Sequence, residues 1–143
     1  MTIYFDMDGT IADFYGVTGW LDNVMAEDTR PYEIATPLLN MQVLARRLNK
    51  LQKMGYKIGI LSWLSKGATE DYNKAVTEAK IRWLVKHLNS VTFDKIIIIP
   101  YGTPKENYGT EFDILFDDEE RNRKNWNGTA YNVNNILKVL ASL

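Results

Sequence analysis

Carboxylate, hydroxyl and ammonium side chains follow several predicted strands of this chain, at the points where those strands end. Two aspartates come after the first strand, a serine after the second, a lysine after the third and two aspartates after the fourth. These residues are Asp6, Asp8, Ser62, Lys105, Asp117 and Asp118. In an open parallel sheet, ligands bind outside the carboxyl ends of the strands. The sequence therefore predicts one crevice that collects all of these groups.

The chemistry of such a crevice follows from its residue types. Clustered carboxylates repel one another and have raised pKa values unless a cation lies among them. Because the chain has no cysteine and a single histidine, ligation through oxygen indicates a hard cation, most simply Mg²⁺. A lysine and a hydroxyl beside that cation suit an anion with several oxygens, namely phosphate. An aspartate that touches both metal and phosphorus can act as a nucleophile, because an anion can approach a metal-neutralised phosphate.

An alternation of strand and helix patterns predicts the sheet that brings these residues together. We expect strands at 2–5, 57–61, 95–99, 113–116 and 129–133, and helices at 38–54, 69–88, 119–125 and 134–143. This order predicts a doubly wound α/β fold with a central parallel sheet. The third strand is β-branched at nearly every position, which is typical of a strand covered on both faces. Residues 13–37 have no clear period, and we interpret them as an insert with one or two short helices.

Composition limits the class of protein. The 143 residues suit one domain spanning 1–143, and a formal net charge of −1 provides no global basic field for a nucleic-acid backbone. We therefore expect no sequence-specific binding of nucleic acid. The absence of cysteine excludes disulfides, zinc–thiolate sites and cysteine nucleophiles. No apolar run is long enough for a membrane span and no secretory signal is evident, so we expect a cytoplasmic protein. The oligomeric state is left open.

Four motifs, in order along the chain, resemble those of the haloacid dehalogenase (HAD) superfamily. The run Phe5-Asp6-Met7-Asp8-Gly9-Thr10 resembles the first signature, Asp-x-Asp-Gly-Thr/Val at the end of the first strand. Ile60-Leu61-Ser62 is similar to the second motif, Lys105 to the third, and Ile114-Leu115-Phe116-Asp117-Asp118 to the fourth. The resemblance implies a HAD-like Rossmannoid three-layer sandwich with a very small cap insert at about 13–37. It also implies a Mg²⁺-dependent phosphomonoesterase that works through an aspartyl-phosphate.

The same resemblance gives each motif residue an expected role. Asp6 is expected to be the nucleophile, and Asp8 is expected to protonate the leaving oxygen and then to activate water. The expected Mg²⁺ ligands are Asp6, the backbone carbonyl of Asp8, Asp117 and, directly or through water, Asp118. The expected phosphate-binding residues are Ser62, Lys105 and Gly9, where the absence of a side chain lets the backbone come close.

Three details further resemble the 5′(3′)-deoxyribonucleotidase-like group of that superfamily. They are Ala12-Asp13-Phe14 just beyond the first motif, the stretch at 80–88 with its Lys-x-x-Trp-x-x-x-His-Leu pattern, and the pair Asp117-Asp118. This likeness implies a small phosphorylated substrate, a nucleoside monophosphate, although the insert is shorter than the helical cap of that group. The candidate substrate contacts are the aromatic residues Phe14, Trp20 and Trp63.

Several alternatives stay open at the level of sequence. The insert's rings, which include Tyr15 and Tyr32, are at least as well explained by a small core as by base stacking. Lys66 and Lys95 compete with Lys105 as the phosphate-binding lysine. The substrate could instead be a sugar phosphate, a polynucleotide end or a phosphoprotein. A phospho-aspartate signalling module is a further alternative, because receiver domains also place carboxylates, a hydroxyl and a lysine at strand ends.

Overall fold

Five strands form one parallel sheet in the computed structural model, which describes residues 1–143. The strands are β1 (Thr2–Phe5), β2 (Lys57–Trp63), β3 (Lys95–Ile99), β4 (Ile114–Phe116) and β5 (Thr129–Tyr131). Their order across the sheet is β3-β2-β1-β4-β5, and every neighbouring pair is parallel. The chain thus builds outward from β1 in one direction and then returns to its other side. This places the change of direction between β1 and β4.

Helices connect and flank these strands. The α-helices are α1 (Trp20–Met25), α2 (Arg30–Ile34), α3 (Met41–Lys53), α4 (Glu70–His87), α5 (Glu120–Asn125) and α6 (Ile136–Ser142). Two 3₁₀ helices cover Lys105–Tyr108 and Val133–Asn135. The first two α-helices fall within the insert at 13–37, as expected. None of the helices combines the length and the apolar sequence that a membrane span requires.

Apolar side chains pack on both faces of the sheet. The larger cluster joins the sheet to α3, α4 and α6, and its members include Phe5, Ile60, Leu48, Leu84 and Leu140. The smaller cluster lies on the opposite face, where Trp126 follows α5, and its members include Tyr4, Leu61 and Leu115. Successive residues of β1 thus point to opposite faces, which fixes the register of the strand. The expected α/β sandwich with a parallel central sheet is confirmed.

The structure corrects the expectation for the third strand. β3 pairs with β2 alone and forms an edge of the sheet, where Lys95 and Ile96 are exposed. A β-branched run therefore reflects strand propensity here rather than burial on both faces. Element ends also differ from the expected ones: α3 begins at Met41 after an Asn40 cap, β2 continues to Trp63, and β5 stops at Tyr131.

Two predicted helix boundaries agree with the structure. The Thr69 side chain accepts a hydrogen bond from the Tyr72 backbone N–H and caps α4. Gly55 follows the end of α3 with φ +102°, a left-handed conformation that favours glycine. The next N–H, from Tyr56, donates to the Leu51 carbonyl and returns the chain toward β2.

Candidate active site

The first two aspartates lie on a tight loop at the end of β1. The Asp6 N–H donates to the Phe116 carbonyl at 2.9 Å, so pairing with the β4 side continues one residue past the strand. The Met7 carbonyl then accepts the N–H groups of the three residues 10–12, which closes the loop. Gly9 has φ +78°, and a Cβ there would collide with the Asp118 carboxylate. Glycine is therefore required by both conformation and space.

The second acidic pair follows β4, the strand next to β1. Carboxylate oxygens of Asp6, Asp117 and Asp118 lie within 4.8 Å of one another. The Thr10 hydroxyl donates to Asp6 Oδ2 at 3.0 Å and accepts the Asp118 N–H at 3.2 Å, which joins the two loops. The sheet changes direction between these strands, which is where open α/β sheets bind their ligands. The predicted convergence of the two acidic loops is thus present in the structure.

Lys105 lies among these carboxylates. It begins a 3₁₀ helix after β3, and its side chain is 1% exposed. Its Nζ lies 3.0 Å from Asp6 Oδ1 and 2.7 Å from Asp117 Oδ2. Burial alone would lower the pKa of the Lys105 ammonium, but these two carboxylates outweigh it and raise that pKa above its ordinary value. Lys105 therefore carries a fixed positive charge in the site.

The acidic cluster has the donor chemistry of a hard-cation site. Burial and the nearby Asp6 charge raise the pKa of Asp117 to about 6, against the opposing effect of Lys105. Burial and the same Asp6 charge raise the pKa of Asp118 to about 8. These shifts mean that one ammonium does not neutralise the cluster. An oxygen-ligated cation such as Mg²⁺ fits this set of carboxylates.

Asp117 is fixed by its own neighbours as well as by Lys105. Asn122, buried on α5, donates through Nδ2 to Asp117 Oδ2 at 3.1 Å. The Glu119 N–H donates to Asp117 Oδ1 at 2.9 Å, and Arg123 donates to the Asp117 carbonyl. The start of α5 thus orients this carboxylate, as expected of a group that must meet a ligand in one geometry.

Asp8 and Ser62 share a partner, Lys80, which opens the stretch at 80–88 but had no expected role in the site. Lys80, on the buried face of α4, places its Nζ 3.0 Å from Asp8 Oδ2 and donates to Ser62 Oγ at 2.7 Å. Ser62 is fully buried, whereas Asp8 lines the cavity described below. Burial raises the pKa of the Asp8 carboxyl, the Lys80 charge opposes that rise, and the Asp6 charge adds to it.

A cavity of about 420 Å³ opens above these polar groups. Asp6, Asp8, Lys105, Asp117 and Asp118 contribute to its polar floor. Its wall on one side comes from the insert, including Phe14, Tyr15, Trp20, Val24 and Tyr32. Other wall residues, near the ends of β2 and β3, include Trp63 and Tyr101, whose ring centroids are 5.0 Å apart. All three predicted substrate contacts, Phe14, Trp20 and Trp63, are thus wall residues.

The insert's rings serve both as a small core and as a wall. Phe14 and Tyr32 are buried with Tyr72 and Val76 of α4, and the Phe14 and Tyr32 centroids are 4.6 Å apart. Tyr15 is 53% exposed and packs edge-on against Trp20 at 5.0 Å. The two interpretations left open by the sequence therefore coexist, because one side of this cluster packs on α4 while the other faces the cavity.

The competing lysines occupy different places from Lys105. Lys66 is exposed and lines the cavity at its rim, with its Nζ 5.8 Å from the centre of the Tyr101 ring. Lys95 lies on the edge strand and donates to the Tyr4 hydroxyl at 3.3 Å. Of the three, Lys105 is the one that forms ion pairs with the acidic cluster.

Comparison with known proteins provides a structural likeness. No protein-family model matches the chain, and no curated protein matches it. Among solved structures, the chain is similar to D,D-heptose 1,7-bisphosphate phosphatase from Burkholderia thailandensis, with a TM-score of 0.57 and 11% sequence identity. The match covers 99% of this chain and 96% of that one. At this identity the likeness shows a shared fold, and it extends over nearly the whole of both chains.

Proposed function

We propose that this protein is a Mg²⁺-dependent phosphomonoesterase of the HAD type that forms an aspartyl-phosphate on Asp6. The observation that carries the proposal is the contact of Lys105 with both Asp6 and Asp117 on the floor of the cavity. The clustered carboxylates can bind a cation, and the buried ammonium among them can bind an anion. The site therefore suits an anion that arrives together with a cation. The structural neighbour is itself named a phosphatase, and it has the same fold.

Mg²⁺ would be held by Asp6, Asp117, Asp118 and the backbone carbonyl of Asp8. When bound, it would neutralise phosphoryl oxygens and so let a carboxylate approach phosphorus. Lys105 would bind a phosphoryl oxygen and balance the charge that develops in the transition state. Ser62, whose hydroxyl accepts a hydrogen bond from Lys80, would contribute that hydroxyl to phosphate binding at the end of β2.

The two aspartates of the first loop would divide the chemistry. An Asp6 carboxylate oxygen attacks phosphorus, the bond from phosphorus to the leaving oxygen breaks, and a proton passes from the Asp8 carboxyl to that oxygen. A water molecule then attacks the aspartyl-phosphate and gives its proton to Asp8, which releases phosphate and restores Asp6. The raised pKa of Asp8 supports the first step, because only a protonated carboxyl can donate.

A nucleoside monophosphate is the substrate class that the cavity supports best. Aromatic rings line it from two parts of the chain, with Phe14 and Trp20 in the insert and Trp63 at the end of β2. A base can stack on such faces with little demand for specific hydrogen bonds. A sugar phosphate, the type of substrate in the neighbour's name, would bring hydroxyl groups to walls that offer mainly apolar surface.

A test of the proposal measures phosphate release from a panel of phosphoesters with Mg²⁺, for the wild type and three variants. Asp6→Asn should abolish turnover, because an amide matches the carboxylate in shape but is not a nucleophile. Asp8→Asn should slow release by about 10²–10⁴-fold, with the smallest loss on aryl phosphates whose leaving groups need no proton. Asp71→Asn, at an exposed position on α4, is the matched control and should behave as wild type.

The same panel separates the alternatives. Activity should disappear with EDTA and return with Mg²⁺, and Ca²⁺ should restore it poorly because its larger shell disturbs the in-line geometry. Full activity without metal would contradict the site assignment. A phosphoenzyme that persists without turnover would indicate the signalling module instead. Release of phosphate from sugar phosphates but not from nucleotides would support the phosphatase activity and contradict the nucleotide substrate.

A further inference from the structure

Lys80 is a buried ammonium whose contact with Asp8 has no part in the chemistry described so far. It lies on the inner face of α4, its side chain is 1% exposed, and the neighbouring buried positions on that face are apolar or aromatic. The ammonium donates hydrogen bonds to Ser62 Oγ and to the Trp63 carbonyl, each at 2.7 Å, and forms an ion pair with Asp8 Oδ2 at 3.0 Å. Two hydrogen bonds and one opposite charge therefore compensate this buried ammonium.

Stability alone is a poor explanation for a lysine at this position. Moving an ammonium out of water is costly, and a buried ion pair often stabilises a fold no better than apolar residues of similar volume. Four residues away on either side, Val76 and Leu84 occupy the same face with apolar side chains. The presence of the Lys80 ammonium is therefore better explained by its holding the groups around it in a specific orientation.

The partner that gains most from Lys80 is Asp8. Lys80 holds Oδ2 of Asp8, whereas Oδ1 makes no hydrogen bond within the chain, and the side chain is 19% exposed where it lines the cavity. The carboxyl group of a cavity-lining residue is thus held through one oxygen, while the other oxygen has no partner within the chain. A carboxyl without this anchor would rotate about its side-chain bonds, since no other side chain donates to it.

We propose that Lys80 is a positioning residue that orients the Asp8 carboxyl group for proton transfer to the leaving oxygen. This inference rests on the proposed function, in which Asp8 is the general acid. Lys80 touches neither phosphate nor metal in this assignment, and acts through the oxygen that it holds. Its two other acceptors, on Ser62 and Trp63 at the end of β2, fix the ammonium itself, so Asp8 on the β1 loop is held in place relative to the neighbouring strand.

The test compares kcat and KM of Lys80→Met on two substrates, an alkyl phosphate and an aryl phosphate with a good leaving group. Misplacement of a catalytic group by about 1 Å can cost about 10²-fold in rate. We expect a loss of that order in kcat on the alkyl phosphate, a much smaller loss on the aryl phosphate, and little change in KM for either. Lys74→Met, exposed on the same helix, is the matched control.

A double variant separates positioning from a general structural defect. If Lys80 acts through Asp8, adding Lys80→Met to Asp8→Asn should slow alkyl phosphate release by less than about threefold further, because the group it positions is already gone. Equal losses on both substrates, or losses that multiply in the double variant, would overturn the inference. Should Lys80→Met fail to fold, Lys80→Arg takes its place, because a longer planar cation cannot hold Asp8 Oδ2 at the same point.

These outcomes differ from those that would overturn the proposed function. If the wild type releases no phosphate, or Asp8→Asn shows no dependence on the leaving group, the general-acid assignment itself fails. If the wild type is active and Asp8→Asn shows that dependence but the Lys80 variant does not, only the positioning role fails.

Discussion

Replacing Lys105 by methionine should destabilise the protein in a way that Mg²⁺ partly reverses. Methionine fills a volume similar to the lysine stem but removes the ammonium that lies 3.0 Å from Asp6 and 2.7 Å from Asp117. Two carboxylates then remain without their cation in a largely buried site. Breaking a buried ion pair in this manner typically costs about 3–5 kcal/mol, because the remaining charge is no longer compensated.

A divalent cation in the acidic cluster would change this loss. In the wild type, Lys105 would compete with the cation for Asp6 and Asp117, whereas in Lys105→Met the cation alone would bind those carboxylates. Mg²⁺ should therefore bind the variant more tightly, and each tenfold gain in affinity adds about 1.4 kcal/mol of stability at saturating ion. We expect the difference between the two proteins to shrink by at least about 1.4 kcal/mol when Mg²⁺ replaces EDTA.

Urea unfolding at neutral pH, followed by tryptophan fluorescence, measures both quantities from the same titrations. Lys74→Met is a suitable control, because Lys74 is exposed on α4 and should change stability by no more than about 0.5 kcal/mol. A loss below about 1 kcal/mol in EDTA would refute the buried ion-pair network. A loss that is the same with and without Mg²⁺ would refute the view that ion and lysine share these carboxylates.

Two further perturbations test the cavity wall and the support of β1. Trp63→Ala should raise KM for a nucleoside monophosphate by roughly 5–150-fold, the equivalent of about 1–3 kcal/mol of stacking, while KM for a simple aryl phosphate is nearly unchanged. Equal changes in KM for both substrates would show that Trp63 serves only in packing. Asp113→Asn should cost about 1–3 kcal/mol at pH 7, because Asp113 accepts the Thr2 N–H at 2.8 Å and the Thr110 N–H at 2.9 Å. Burial opposes the shift, but these hydrogen bonds outweigh it and lower the pKa of the folded-state Asp113 carboxyl. The stabilisation by the Asp113 carboxylate is therefore present above its unfolded-state pKa and is lost as pH falls through its folded-state pKa. The difference in free energy of unfolding between the wild type and Asp113→Asn should consequently become smaller in acid. A difference that does not depend on pH would refute this account.

The strands and the acidic loops were predictable because their signals are local. β1 and β3 have the predicted bounds, since a β-branched or apolar run of four or five residues ends at a turn or a proline. The convergence of Asp6 and Asp117 also followed from sequence, because parallel strands end at one edge. The exposure of β3 did not follow, because a strand's place in the sheet depends on which neighbours it finds.

Lys80 shows a different kind of limit. Helical spacing places it on the same face as Val76 and Leu84, so its burial could have been deduced from the period of α4. Its partners could not, because Asp8 and Ser62 lie 72 and 18 positions away along the chain. Two signals were available. Lys80 begins the Lys-x-x-Trp stretch at 80–88, and a charged residue at an apolar position of a predicted helix needs a buried partner. Thr10 is simpler, since it belongs to the first motif and its contacts with Asp6 and Asp118 follow from that loop.

The insert depends on the same helix that supports Asp8. Glu27 adopts φ +54°, an unfavourable conformation for a residue with a side chain, and its carboxylate accepts both the N–H and the hydroxyl of Thr69 at the start of α4. One turn further, the Tyr72 hydroxyl donates to the Asp28 carbonyl, and two turns beyond that Lys80 holds Asp8.

These contacts give α4 two attachments to the site. One fixes the wall against which the organic part of a substrate would pack, and the other fixes the carboxyl that would donate a proton to its leaving oxygen. A further contact, from Trp83 Nε1 to the Ala35 carbonyl at 2.8 Å, ties the end of the insert to the same helix. A short insert can therefore form a stable wall without a large cap domain, because its position is set by the same helix that would orient the proposed proton donor, Asp8.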